Sequence, residues 1–362
     1  MKKRKVLARL LTIILILQMP LFNIAEAKTV DKTTNTSKNK TTTVTTDDKS
    51  SGDLLSIEIN KVTKDQIKKV PIYKKNREST FAATRNSYSS TYGYDKLAND
   101  TYKGVYQDLV VACEEFTKSN NDATLVSSNK YGAITVTVEE NTLRTSELNA
   151  ILCSLYYDHP EFYWLDSFGY SYNASDYIVS VTPFCSSEYR LGATRTTLNT
   201  KMDTEIQRYL SLVNGVSSDY KKELIIHDEI INQVQYSLDN AGKPSEEKWA
   251  HSIVGVFDTS YKKVVCEGYA KAFQLLMNAC GIECIYIPGT ANGTGHAWNK
   301  VKLDRDWYNV DVTWDDPTSG NGTPILSHNY FNVTDAQLLT NHTPGNTMST
   351  GINSWCYSLP VS

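Results

Sequence analysis

The sequence predicts an α+β protein in two parts: a smaller helix-rich α+β region, then a helix packed on an antiparallel sheet. Three observations carry this. Residues 264–281 place apolar side chains at helical spacing directly after a cysteine. Residues 296–314 read as two alternating strands about a short polar turn. Residues 92–192 mix helical and alternating periodicity ahead of both. A chain of 362 residues has room for two modest domains and flexible ends.

The first 27 residues read as an export signal. Lys2, Lys3, Arg4 and Lys5 form a positive start, and Leu10 to Leu17 is an almost unbroken apolar run. Ala25-Glu26-Ala27 then sets small residues where signal peptidase reads. Arg9, Gln18, Pro20 and Asn23 leave the run short for a bilayer of ~30 Å. Cleavage after Ala27 is therefore expected, giving a secreted protein with no transmembrane anchor. Losing five basic residues and one acid takes the net charge from −3 to −7. Residues 28–78 hold twelve Lys/Arg against seven Asp/Glu, which concentrates negative charge in 79–362. So acidic a body argues against nucleic acid as a partner.

Residues 28–90 read as a disordered Thr/Lys-rich tether. The tract from 28 to about 53 has little to bury, and apolar residues stay sparse from Leu54 to Ser90. Its basic charge fits a solvated linker, or contact with an anionic cell envelope.

Residues 91–195 form the predicted N-terminal domain. Helical spacing runs from Tyr102 to Phe116 and from Ser146 to Tyr157, with a stop at Asp158-His159-Pro160 because Pro160 disfavours helix at the residue before it. Phe162-Tyr163-Trp164-Leu165 reads as core, and Tyr177 to Phe184 alternates like a strand. Residues 196–362 form the predicted catalytic domain, opening with amphipathic helices over Thr197–Val213 and Asp219–Asn240.

The chemistry lies further on. In the segment from Val264 to Gly281, Ala270, Phe273, Met277 and Cys280 share one helical face, and Gly281 is a natural stop. Cys266 thus opens the helix, where the positive dipole end and free N–H groups stabilise a thiolate and can donate to an oxyanion. Glu283 to Ile287 reads as a buried strand and Gly289 to Gly295 as a loop. His296 to Leu303 and Trp307 to Trp314 then form a hairpin. A turn centred on Asp304-Arg305 sets Asp311 diagonal to His296 on one face, and one centred on Leu303-Asp304 sets them opposite each other. A three-residue turn without a bulge would put them on opposite faces. A thiol, an imidazole and a carboxylate so arranged suit nucleophilic acyl transfer, with Cys266, His296 and Asp311 as the catalytic residues.

Cys266-x-Gly268-Tyr269-Ala270, Gly295-His296-Ala297-Trp298-Asn299 and Trp307-Tyr308-x-Val310-Asp311-x-Thr313-Trp314-Asp315-Asp316-Pro317 together resemble the bacterial transglutaminase-like core. The resemblance covers roughly residues 220–335, in the family order Cys–His–Asp. It implies a papain-like fold and a cysteine acyltransferase or hydrolase acting on protein or peptide amides. It also implies a second oxyanion donor upstream of the cysteine, for which Trp249, His251 and Ser252 are candidates beside the Cys266 backbone N–H. Trp298, on the His296 face, and Asn299 are candidates for the substrate cleft, whereas Trp314 reads as core.

Two other readings stand beside this one. The domain is a catalytically silent module that binds cell wall or a protein partner, or it is an enzyme whose substrate is cell-wall peptide. The seven cysteines leave at least one thiol unpaired in an exported protein. Cys280 and Cys284 read as core thiols rather than the start of a metal site with His296 or His328, since no second pair follows. A disulfide between them stays open. With no metal or phosphate-loop motif in the sequence, no metal and no cofactor are expected.

Overall fold

The computed structural model describes residues 57–74, 88–317, 325–345 and 358–362. The expected signal peptide, the Thr-rich tract and Cys356 lie outside the described residues.

The first part runs β1 (Glu58–Lys61), α1 (Lys64–Ile67), α2 (Tyr92–Lys96), α3 (Asp100–Lys118), β2 (Thr124–Ser127), β3 (Lys130–Gly132), β4 (Val136–Thr137), α4 (Leu148–Asp158), β5 (Leu165–Tyr172) and β6 (Ile178–Cys185). The second continues with α5 (Gly192–Leu212), α6 (Asp219–Gln233), β7 (Gln235–Tyr236), α7 (Val254–Phe257), β8 (Lys263–Val264), α8 (Cys266–Ala279), β9 (Cys284–Ala291), β10 (Thr294–Leu303), β11 (Asp306–Val310), α9 (Asp335–Leu338) and β12 (His342–Pro344).

In the first sheet the strand order is β1-β5-β6-β3-β2, with β4 also on β6. Only the β1–β5 pair in it is parallel. Helix α3 starts where the Asn99 side chain accepts from the Tyr102 amide at 3.0 Å, and it buries Tyr106, Leu109, Val110 and Cys113. Helix α4 ends at Asp158, two residues before Pro160, where the sequence set its stop.

The second sheet, β11-β10-β9-β12, is antiparallel throughout. Helix α8 packs on β9 and β10 and buries every residue from Cys266 to Met277. Gly281, at φ 78°, ends it in the left-handed region. One hydrophobic cluster includes Leu109, Leu152 and Trp164 from the first part and Phe273, Leu275 and Val301 from the second. Burial of this kind across both parts ties them by the dominant favourable term in folding.

Three expectations are corrected. Residues 57–74 do not belong to a disordered tether: β1 adds to the first sheet, and Ile57, Val62, Ile67, Val70 and Tyr73 are buried. Five apolar residues spread over seventeen positions escape a periodicity test, yet each finds a pocket. Helix α6 stops at Gln233 rather than running to Asn240, because Val234 turns extended and Gln235-Tyr236 pair with Lys263-Val264. The segment from Gly289 to Gly295 is mostly strand. Its only turn is Asn292-Gly293, both at positive φ (49° and 78°), a two-residue hairpin that lets β9 and β10 run long.

Candidate active site

Cys266 is the first residue of α8 and is 5% exposed. The residue before it, Val265, is extended, and its amide donates to Ala250 O at 3.0 Å. The helix can start this close to its neighbours because of Gly268. A Cβ there would lie 2.6 Å from Ala250 O and 2.6 Å from Val264 Cβ.

His296 lies on β10. Pairing of Leu303 with Asp306 makes a two-residue turn of Asp304-Arg305, with Asp304 at φ 55°. The hairpin therefore takes the register in which Asp311 is diagonal to His296, and His296 Nε2 donates to Asp311 Oδ2 at 2.7 Å. The other carboxylate oxygen, Oδ1, accepts from the amides of Thr313 and Trp314 at 3.1 and 3.2 Å. With Nε2 engaged, Nδ1 is the nitrogen left for Cys266, which lies near enough to act on the imidazole.

Burial alone would push the His296 pKa down. The Asp311 charge, its hydrogen bond and Cys266 outweigh burial and raise it to about 10. For Asp311 burial works upward, and the His296 charge with bonds from His296 and His342 brings it to about 2. An imidazolium clamped on a carboxylate, with the thiol on its other nitrogen, can protonate a leaving amine.

Two residues at the site were absent from the sequence reading. His342, on β12, is buried, and its Nε2 donates to the same Asp311 Oδ2 at 3.1 Å. It comes 31 residues after Asp311, outside the recognisable blocks, and only the pairing of β12 with β9 brings it in. Tyr236 precedes Cys266 by thirty residues, and its hydroxyl hydrogen-bonds the Cys266 backbone. Burial, and then Cys266 and Asp311, push its pKa up, so the phenol stays protonated and can donate. The one signal for it was β-type alternation at the end of α6, which the helix assignment overrode.

The upstream candidates are otherwise occupied. His251 directs Nδ1 to Glu267 Oε2 and Nε2 to Ser245 O, both at 2.9 Å, leaving neither nitrogen for an oxyanion. Ser252 Oγ donates to Trp249 O and accepts from the Val254 amide, both at 3.3 Å. Trp249 stacks on Tyr261 with centroids 4.4 Å apart.

The two cleft candidates are buried. Trp298 is 1% exposed and stacks along His296, and Asn299 donates from Nδ2 to Ala270 O and Ile285 O, fastening β10 to α8 and β9. Neither presents a surface to substrate. Trp314, expected in the core, is half-buried instead, with its ring 5.8 Å from that of His296.

Beside Cys266, the Glu267 carboxylate gathers Lys271 at 2.7 Å, His251 at 2.9 Å and the Tyr156 hydroxyl at 2.9 Å. Burial opposes its ionisation, but Lys271 and His251 hold its pKa below the usual carboxylate range. Cys280 and Cys284 are free thiols. Two groups among the described residues bring three potential metal-ligand atoms within 4.8 Å of one another: His227, Asp228 and His328, and His296, Asp311 and His342.

Residues 207–312, which include Cys266, His296 and Asp311, match the family model of the transglutaminase-like superfamily core. The chain carries a transglutaminase-like domain. Its fold is α+β, with the helix that Cys266 opens packed on an antiparallel sheet. Relatives of the transglutaminase-like core include kyphoscoliosis peptidase of Mus musculus, 27% identical over 151 residues, and that of Homo sapiens, 26% identical over 151 residues. Each match takes in 37% of this chain and 22% of the relative's length. Among solved structures, one described as a TGase is similar at 13% identity over 57% of each chain, with a TM-score of 0.29. No helix among the described residues is long and apolar enough to cross a membrane.

Proposed function

We propose that the protein is a secreted cysteine enzyme that cleaves or transfers acyl groups at protein or peptide amides through Cys266, His296 and Asp311. The observation that carries this reading is the 2.7 Å bond from His296 Nε2 to Asp311 Oδ2, with Cys266 acting on the same imidazole. The Cys266 S–H proton passes to His296, and the sulfur attacks the amide carbonyl. As the C–S bond forms and the C–N bond breaks, the proton held by His296 goes to the departing amine. Water or a primary amine then attacks the thioester and gives its proton to His296, and the sulfur leaves. In this reading the Tyr236 hydroxyl, beside the Cys266 backbone, is the second donor to the oxyanion together with the Cys266 amide. The peptidase names of the curated relatives favour peptide amides as the substrate class. Export follows from the N-terminal signal, with Lys28 as the first residue of the mature chain.

The test compares the mature wild type with Cys266→Ala on a mixed protein substrate in excess labelled primary amine, with products read by mass spectrometry. Cysteine-dependent amine incorporation at glutamine marks a transamidase, and new peptide termini mark a peptidase. Identical product spectra from the two proteins over a broad substrate panel would remove the catalytic reading and leave a binding module.

A further inference from the structure

The mechanism above uses one nitrogen of one histidine on Asp311, and His342 is surplus to it. His296 Nε2 and His342 Nε2 lie 2.7 and 3.1 Å from the same oxygen, Asp311 Oδ2. The remaining atom of each ligand is held elsewhere. Asp311 Oδ1 takes the Thr313 and Trp314 amides, His342 Nδ1 contacts Asn341 Oδ1 at 2.6 Å, and His296 Nδ1 faces Cys266. Two nitrogens and one oxygen therefore converge on one point from three elements, each fixed from behind as ligands of metal sites are. The rings of Trp298 and Trp314 wall the point, with centroids 5.1 and 4.6 Å from that of His342.

We propose that His296, Asp311 and His342 form an inhibitory site for a borderline divalent transition-metal ion, with zinc as the fitting case. Two imidazoles and one carboxylate, with a fourth position left for water, are a familiar zinc donor set, whereas calcium and magnesium call for six or more oxygens. Zinc–ligand bonds of about 2.0–2.1 Å require the three atoms to separate by a few tenths of an ångström. The two Nε2 protons leave to solvent as the ion enters. Because the ion sits on the Nε2 side of His296, the Cys266 sulfur across the ring is not a ligand. That separates this site from ordinary zinc capture by an active-site thiolate. The ion would hold His296 and Asp311 apart from proton transfer. This inhibitory consequence rests on the proposed function, while binding itself does not.

Calorimetry with zinc chloride, on the mature chain carrying Cys266→Ala, tests binding apart from activity. The variant also carries His328→Gln, which removes the other histidine–aspartate group. The expected result is one saturable site, absent with magnesium or calcium. Cobalt in place of zinc should give visible ligand-field bands without thiolate charge transfer, and it should quench the fluorescence of Trp298 and Trp314. Adding His342→Gln, which keeps a hydrogen-bond donor to Asp311, should weaken binding by at least about tenfold. If His342→Gln fails to fold, His342→Asn takes its place. Absence of binding in the Cys266→Ala background, or equal binding with and without His342, overturns the site. In wild type, zinc inhibition of amide turnover that survives His342→Gln overturns the regulatory role.

Discussion

His342 and His296 donate to the same oxygen of Asp311, at 3.1 and 2.7 Å. A carboxylate so shared is held more firmly than one bonded to His296 alone, because the second donor leaves Oδ2 no free lone-pair direction to swing toward. The second histidine comes from β12, beyond the three motif blocks, so the strand that closes the sheet also finishes the site.

Replacing His342 by Phe keeps ring volume and removes the donor. Leaving a buried carboxylate oxygen short of a partner costs about 1–3 kcal/mol, so turnover should fall by about 5- to 150-fold. His342→Gln should restore part of it with KM unchanged, which a purely packing role would not produce. Steady-state kinetics on the three proteins decides. Full turnover in His342→Phe with loss in His342→Gln would mean that only the ring matters.

Glu267 joins the two parts of the protein. Tyr156 from α4 donates to it at 2.9 Å, and Lys271, itself buried, pairs with it at 2.7 Å. Glu267→Gln strands the Lys271 ammonium, and breaking a buried pair from one side costs about 3–5 kcal/mol. Urea denaturation should show that loss in wild-type background, and much less in a Lys271→Met variant, where no cation is left uncompensated.

The amino-acid pattern made the reactive centre legible because helix start, hairpin and turn are local events. Cys266 after two valines, the alternation either side of Asp304-Arg305, and Gly281 as a stop each need only a few neighbouring residues. What escaped depends on pairing at long range. Tyr236 and His342 reach the site on β7 and β12, strands of two and three residues that carry no readable period. His251 looked free in sequence and is bound to Glu267 in three dimensions. Trp298 shares the His296 face, but there its ring is buried against His342, which no alternation pattern reports. Residues 57–74 failed as a tether for a related reason: an edge strand needs few apolar side chains when its neighbours supply the sheet.

Gly268 is the second fixed point of the Cys-x-Gly block. A Cβ on it would come so close to Ala250 O that Gly268→Ala must shift backbone rather than a side-chain tip. Overpacking of this kind costs about 1–3 kcal/mol. Since the shift displaces the first turn of α8, turnover should fall more than stability at assay temperature. Parallel measurement of the denaturation midpoint and kcat checks this, and loss of stability with full kcat would show that Cys266 moves independently of Gly268.

Glu223 on α6 gives the protein a pH dependence of its own. The side chain is buried, its Oε2 accepts from Asn332 Nδ2 at 2.8 Å, and Oε1 has no hydrogen-bond partner. Burial raises its pKa to about 7, against the opposing pull of Asn332 and His227. A carboxyl whose folded pKa exceeds its unfolded value binds more protons folded than unfolded, so stability falls as pH rises from about 4.3 to 7 and is level beyond. The Asp311 contribution runs the other way and is lost on acidification from about 3.9 toward about 2. That of His296 is lost as pH rises from about 6.5 toward about 10, in the same sense as Glu223, so the comparison of variant with wild type is what isolates Glu223. Glu223→Gln keeps the acceptor for Asn332 and removes the charge. Relative to wild type, the variant should gain about 1–3 kcal/mol between pH 5 and pH 8. Urea denaturation of both proteins at the two pH values measures it, and parallel curves with no relative gain would mean that Glu223 ionises in the folded state as readily as in the unfolded chain.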